Sequence, residues 1–221
     1  MIKNFIFDLD GTLIDSAFDI KRCLKIALRE NGIIIDPLKK IQVGPPMELI
    51  IRDAAEGISE NNAAQVLKTY RRIYASDSLD NTIPFDFIIE TLKIIKAQNL
   101  GAFIATYKPT GSAKNILSRH FKNLYKDIIS PDDIKDFDYK TRISKADMLK
   151  LLMDKWNMKP CETAMIGDAK SDIDGAKEAG IIAIAALYGY SSNEDLKDAD
   201  IKFNNGKDLF DYVKQSILGG V

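Results

Sequence analysis

The chain has 221 residues, and its 31 basic and 32 acidic side chains nearly cancel, which excludes a diffuse electrostatic pull toward nucleic acid or an anionic membrane. A single histidine excludes phosphohistidine chemistry, His-rich zinc hydrolases and most dinuclear metal hydrolases, so any reaction must run on carboxylates, hydroxyls and lysines. At 46% hydrophobic residues the chain can bury a core, its length suits one domain or one domain with an insertion, and its longest apolar run, Ile181 to Leu187, is far short of the ~20 residues that span a bilayer.

The first element is the apolar run Lys3 to Phe7, which suits a buried parallel strand, with Gly11 at the turn that leaves it. Directly after this strand come Asp8 and Asp10, two residues apart and therefore on the same side of an extended chain. Close carboxylates repel unless a cation compensates them, so the pair calls for a metal, and magnesium is the hard cation that carboxylates share with phosphate oxygens. Taken alone, the two aspartates also read as ordinary turn and cap residues.

A helix is expected over Ser16 to Asn31, with Ser16 and Asp19 as a capping box and Gly32 as its stop. Two more helical patterns, Met47 to Ala55 and Ala63 to Tyr74, make residues 16–82 a helical insertion. Within it, Arg52, Arg71 and Arg72 are candidates for a substrate carboxylate or second phosphate, although exposed helical arginines are usually solvated.

From Phe85 onward helices and strands alternate. The pattern predicts helices at Phe85 to Gln98, Thr110 to His120, Ser144 to Trp156 and Ser171 to Ala179. The strands between them fall at Ala102 to Thr106, Lys126 to Ile129, Thr163 to Ile166 and Ile181 to Leu187. Ile201 to Phe203 reads as a short edge strand, Lys207 to Leu218 as a closing helix, and Gly219-Gly220-Val221 as a frayed tail. This alternation predicts an α/β fold with a doubly wound, Rossmann-like parallel sheet as its core, built from residues 1–15 and 83–221, and an inserted helical domain at 16–82.

In such a sheet the carboxyl ends of strands line one crevice, so Asp168, after the strand ending at Ile166, is expected to converge on Asp8 and Asp10. Asp172 reads equally as a first-turn helix residue and as a group supporting the metal, and Asp174 as a capping partner of Ser171. Thr106, at the end of another apolar strand, reads equally as a β-branched strand terminus and as a donor to a phosphate oxygen. Lys135, Lys140, Lys145 and Lys150 follow it, with Lys145 leading a helix behind the cap Ser144. Cys23 and Cys161 belong to no CxxC pair and are expected as small core residues.

The run Asp8-Leu9-Asp10-Gly11-Thr12, followed by the helical insertion, Thr106, a lysine and Gly167-Asp168, resembles the haloacid dehalogenase superfamily of phosphatases over nearly the whole chain. The resemblance implies a catalytic pair, with Asp8 as nucleophile forming an aspartyl-phosphate and Asp10 as general acid and base. It implies magnesium on Asp8, Asp10 (through its carbonyl) and Asp168. It also implies substrate binding by Thr106, Gly11, Thr12 and a lysine that compensates the nucleophile, for which Lys145 is preferred and Lys140 is the rival. Members that dehalogenate lack the second aspartate, so Asp10 favours phosphoryl transfer. Tyr107, where the family commonly has a small residue often followed by lysine, is a departure, as is Ala146 after Lys145 in place of proline. The insertion matches the family's cap, and Gln42-Val43-Gly44-Pro45-Pro46 resembles the cap loop of phosphoglycolate-phosphatase-like members.

The expected function is magnesium-dependent hydrolysis of a small phosphomonoester, phosphoglycolate-like or a nucleoside monophosphate. The alternatives are a phosphosugar mutase of the β-phosphoglucomutase type and a silent phosphate-binding module. The expected partner is a small phosphorylated metabolite, with no nucleic acid polymer and no membrane, for a cytoplasmic monomer or homodimer.

Overall fold

A computed structural model describes residues 1–77, 79–134 and 143–218. The chain divides into two compact units, Met1–Ile14 with Pro84–Val221, and Asp15–Ile83.

The larger unit begins with strand β1 (Asn4–Phe7), and the short strands β2 (Ile14–Asp15) and β3 (Ile83–Pro84) pair where the chain passes between the units. The smaller unit holds helices α1 (Ala17–Glu30), α2 (Met47–Ala54) and α3 (Glu60–Ser76). After β3 the larger unit continues with α4 (Ile88–Ala97), β4 (Gly101–Ala105), α5 (Thr110–His120), β5 (Asp127–Ile129), α6 (Lys145–Trp156), β6 (Thr163–Gly167), α7 (Lys170–Glu178), β7 (Ile182–Ala186), β8 (Ile201–Phe203) and α8 (Gly206–Leu218).

Six strands form one parallel sheet in the order β5-β4-β1-β6-β7-β8. The fold is therefore the α/β, Rossmann-like architecture expected from the alternating pattern. On one face Ile6, Phe103, Ala105, Met165 and Ala183 pack with Met148, Leu149 and Leu152 of α6 and Ile173 and Ala176 of α7. The alternate residues Phe5, Phe7, Ile104 and Ile166 are also buried, which is why these strands read as unbroken apolar runs. β1 lies between β4 and β6, with Phe7 level with both Ile104 and Ile166. The chain leaves β1 toward one side of the sheet and later builds out the other, so the switch point falls at the carboxyl end of β1.

In the smaller unit Cys23, Leu24, Ala27, Leu28, Ile51 and Val66 are buried. The expected Ser16–Asp19 capping box does not form, since the Ser16 side chain makes no cap hydrogen bond. Asp19 is fully buried and accepts instead from the Arg22 guanidinium, the Asn81 amide and the Thr82 hydroxyl, which joins the start of α1 to the segment that ends the unit. The three candidate arginines have acidic partners of their own: Arg52 meets Glu60, Arg71 meets Glu48 and Arg72 meets Glu30. α3 starts earlier than its apolar pattern, because the Ser59 hydroxyl caps the Asn62 amide. Cys161 is exposed, a correction to its expected core position; it sits in a short 3-10 turn between α6 and β6, where Pro160 rather than apolar spacing sets the backbone. The expected tail, Gly219 to Val221, lies outside the described residues.

Candidate active site

Asp8 extends β1 past its last paired residue, and its amide donates to Ile166 O at 2.9 Å, so the strand ladder itself fixes where the carboxylate begins. Lys145 approaches from the first turn of α6. Its Nζ lies 2.9 Å from Asp8 Oδ1 and 2.8 Å from Asp172 Oδ1, and it donates to Ala105 O at 2.8 Å. The ring of Tyr107 stands 5.0 Å from the same ammonium. A cation at a helix start is opposed by the helix dipole, and these two carboxylates outweigh that opposition. The capping box that begins α6, Ser144 with Asp147, places the lysine at the helix's first position.

Asp168 follows β6 and accepts the Thr12 hydroxyl on Oδ1 at 3.1 Å and the Tyr190 amide on Oδ2 at 2.8 Å. Thr12 is fully buried, so its hydroxyl serves this acid. Gly11 adopts a φ of +81°, a turn that favours glycine. Asp172 is the first-turn helix residue expected, accepting from the Ala169 amide at the start of α7, and it also pairs with Lys145. Asp174 does not cap with Ser171; it pairs with Lys170 one turn back on the helix surface. Asp10 turns its carboxylate to Lys108, whose Nζ is 2.9 Å from Oδ2. The Lys108 amide donates to Thr106 Oγ1 at 3.1 Å, which leaves the Thr106 hydroxyl free to act as a donor.

These carboxylates are held at an electrostatic cost. Burial raises Asp8 to about 7 against the pull of Lys145, with the charges of Asp172 and Asp10 adding to the rise. Asp168 is pushed well above the usual carboxylate range by burial and by the charges of Asp8 and Asp172. Lys145 loses solvation on burial, yet Asp172 and Asp8 more than restore its charged form and raise its pKa.

Asp8, Asp168 and Asp172 each offer an oxygen, and these atoms all lie within 4.8 Å of one another. With Asp10, and among the described residues, four carboxylates meet two ammonium groups, Lys108 and Lys145, and full ionisation leaves an excess of two negative charges. An all-oxygen donor set with that excess fits a hard divalent cation such as magnesium.

The family model for haloacid dehalogenase-like hydrolases matches residues 5–186, which runs from β1 through β7. The chain belongs to the haloacid dehalogenase-like hydrolase family. A 5′-nucleotidase of Pseudomonas aeruginosa is 29% identical over 201 residues, covering 88% of this chain and 86% of its own. A phosphoglycolate phosphatase of Vibrio vulnificus is 26% identical over 212 residues, covering 91% of each. Among solved structures, a haloacid dehalogenase-like hydrolase of Streptococcus pneumoniae superposes with a TM-score of 0.82 at 25% identity, over 96% of this chain and 98% of its own.

In this haloacid dehalogenase-like hydrolase the structure brings together Asp8, Asp10, Lys145, Asp168 and Asp172 from segments scattered along the sequence. The Asp10 carboxylate pairs with Lys108 and is not one of the three acids whose oxygens gather within 4.8 Å. Lys150 pairs with Glu178, while Lys135 and the rival Lys140 lie outside the described residues. Lys108 was missed as a site residue, although it stands where the family pattern often has a lysine after the small residue that Tyr107 replaces, and that was the signal that could have found it. Tyr107, a departure from the family pattern, packs its ring against the Lys145 ammonium. Tyr188 and Tyr190 carried no signal, because an aromatic residue after an apolar strand reads as core. Among the described residues, no helix is long and apolar enough to cross a membrane.

Proposed function

We propose that this hydrolase cleaves a small phosphomonoester, with phosphoglycolate or a nucleoside monophosphate as the substrate class, through an aspartyl-phosphate on Asp8 and with magnesium as cofactor. The observation that carries the reading is the Asp8 carboxylate itself, gripped by buried Lys145 and grouped with Asp168 and Asp172 at the carboxyl ends of adjacent strands. The names of the two relatives support the substrate class.

Asp8 attacks phosphorus with one carboxylate oxygen, forming the acyl phosphate as the ester P–O bond breaks. Asp10 gives its proton to the departing alkoxide and then takes one from the water that attacks the phosphorus, which returns Asp8 as a carboxylate and releases inorganic phosphate. Lys145 favours the charged form of Asp8 against the effect of burial, and the Thr106 hydroxyl donates to a phosphoryl oxygen as charge builds there. Asp8, Asp168 and the Asp10 carbonyl would hold magnesium, which would supply neutralisation of the phosphoryl charge. Asp172 steadies Lys145 as its second carboxylate partner. The helical unit is the part of the chain that would select among substrates.

A phosphate-release screen over phosphoglycolate, nucleoside monophosphates and sugar phosphates, with Asp8→Asn as control, tests this reading. Magnesium-dependent release by the wild type and none by the variant is the expected result. Conversion of β-glucose 1-phosphate to glucose 6-phosphate without free phosphate would transfer the protein to the mutase class.

A further inference from the structure

We propose that the Tyr188-Gly189-Tyr190 turn after β7 is a positioning element for the metal site, one that locks the Asp168 carboxylate into a single orientation. The inference rests on the reading of Asp168 as a magnesium ligand.

The Asp168 side chain lies in a slot between two glycines. A Cβ at Gly11 would come within 2.1 Å of Asp168 Oδ2, and one at Gly189 within 2.2 Å of the Asp168 Cβ. Gly189 has no positive φ that would demand glycine. Space for the acid is therefore the reason for glycine at this position. The slot is also closed by hydrogen bonds. The Tyr190 amide donates to Oδ2 and the Thr12 hydroxyl to Oδ1, so both oxygens are tethered while each keeps a second lone pair for a cation.

Tyr188 completes the arrangement from the same turn. Its hydroxyl donates to Thr12 O at 3.1 Å across 176 residues of sequence, and its ring meets Phe85 edge-on with centroids 5.0 Å apart. The residue is half-buried, and the loss of solvent around the phenol with the nearby Asp168 charge raises its pKa, which keeps it a neutral donor. A closed circuit results: Tyr188 holds the backbone of Thr12, Thr12 holds one oxygen of Asp168, and Tyr190 holds the other. Partners of this kind fix the angle at which a ligand meets its metal, and their loss typically weakens binding by about 10–100-fold.

Magnesium titration calorimetry on the full chain tests the proposal, with wild type, Tyr188→Phe, Gly189→Ala and, as reference, Asp168→Asn. Gly189→Ala pushes a methyl into the slot and is expected to raise the magnesium Kd by about 10–100-fold. Tyr188→Phe keeps the ring on Phe85 and deletes one hydrogen bond, for an expected rise of about three- to tenfold. A merely structural role would lower the metal-free melting temperature and leave the Kd at the wild-type value.

Wild-type affinity in both variants, with binding lost in Asp168→Asn, overturns the positioning role while leaving the magnesium reading intact. Wild-type affinity in Asp168→Asn overturns the reading itself and the inference with it. Should Gly189→Ala fail to fold, Tyr188→Phe decides alone by the same criterion.

Discussion

Lys145 and Asp8 stand 137 residues apart in sequence and meet at 2.9 Å in the interior, the ammonium almost wholly removed from water. Neither group would be stable there alone. Lys145 is shared between Asp8 and Asp172, and its third bond goes to the Ala105 carbonyl at the end of the neighbouring strand. The pair is thus held by three elements at once, and the position of the proposed nucleophile depends on the packing of α6 and α7 as much as on β1.

Replacing this lysine should therefore weaken the fold as well as the chemistry. Lys145→Met leaves two buried carboxylates without their cation, and breaking a buried pair in this way costs about 3–5 kcal/mol. Urea unfolding in the presence of a chelator measures the loss. A change smaller than about 1 kcal/mol, the range of an exposed pair, would mean that the carboxylates are compensated by other means.

Asp8→Asn separates the two effects. The amide is nearly isosteric and Lys145 keeps Asp172 as its partner, so the variant should unfold close to the wild type. It has no carboxylate oxygen to attack phosphorus, and turnover of p-nitrophenyl phosphate should vanish. Activity above about a tenth of the wild-type rate would remove Asp8 from the nucleophile's role.

Much of this site was legible in the sequence because strand ends are. An apolar run that stops at a polar residue places that residue at the carboxyl edge of a parallel sheet, and three runs did so, with the acids Asp8 and Asp168 and the hydroxyl of Thr106. Lys145 was legible for a weaker reason, its awkward charge at a helix start. What the pattern could not give was pairing between loops. Lys108 meets Asp10 because the β4–α5 connection folds back toward β1, and Tyr188 reaches Thr12 because β7 runs in register with β6. Periodicity also misjudged caps: Ser16 with Asp19 had the right spacing, but Asp19 found better donors in Asn81 and Thr82 far along the chain.

Thr106→Ala tests the one hydroxyl assigned to the transferring group. Its oxygen accepts from the Lys108 amide, so the threonine's own proton is left to point at a phosphoryl oxygen. If that donor acts as charge develops, its loss should lower kcat by about 10²-fold with a smaller change in KM. Stability should fall by about 1–3 kcal/mol, since the buried Lys108 amide loses its acceptor, so the kcat effect is read on protein shown to be folded. An unchanged kcat would return Thr106 to the role of a strand terminus.

Magnesium and protons should compete for the same acids. Asp8 rises from 3.8 in an unfolded chain to about 7, and Asp168 rises as well, so between those limits the folded protein binds more protons than the unfolded one. Stability from these groups is then present at low pH and is lost as pH climbs through the folded value. The carboxylates with lowered pKa, such as Asp77 and Asp147, act in the opposite sense but only below their ordinary range, outside this window. In a chelator the melting temperature should therefore fall from about pH 5 to about pH 7.5, and added magnesium should raise it far more at the higher pH, where the acids are free to bind. Thermal melts at both pH values, with and without magnesium, read this directly. An equal or larger gain at the lower pH would separate the metal from Asp8 and Asp168.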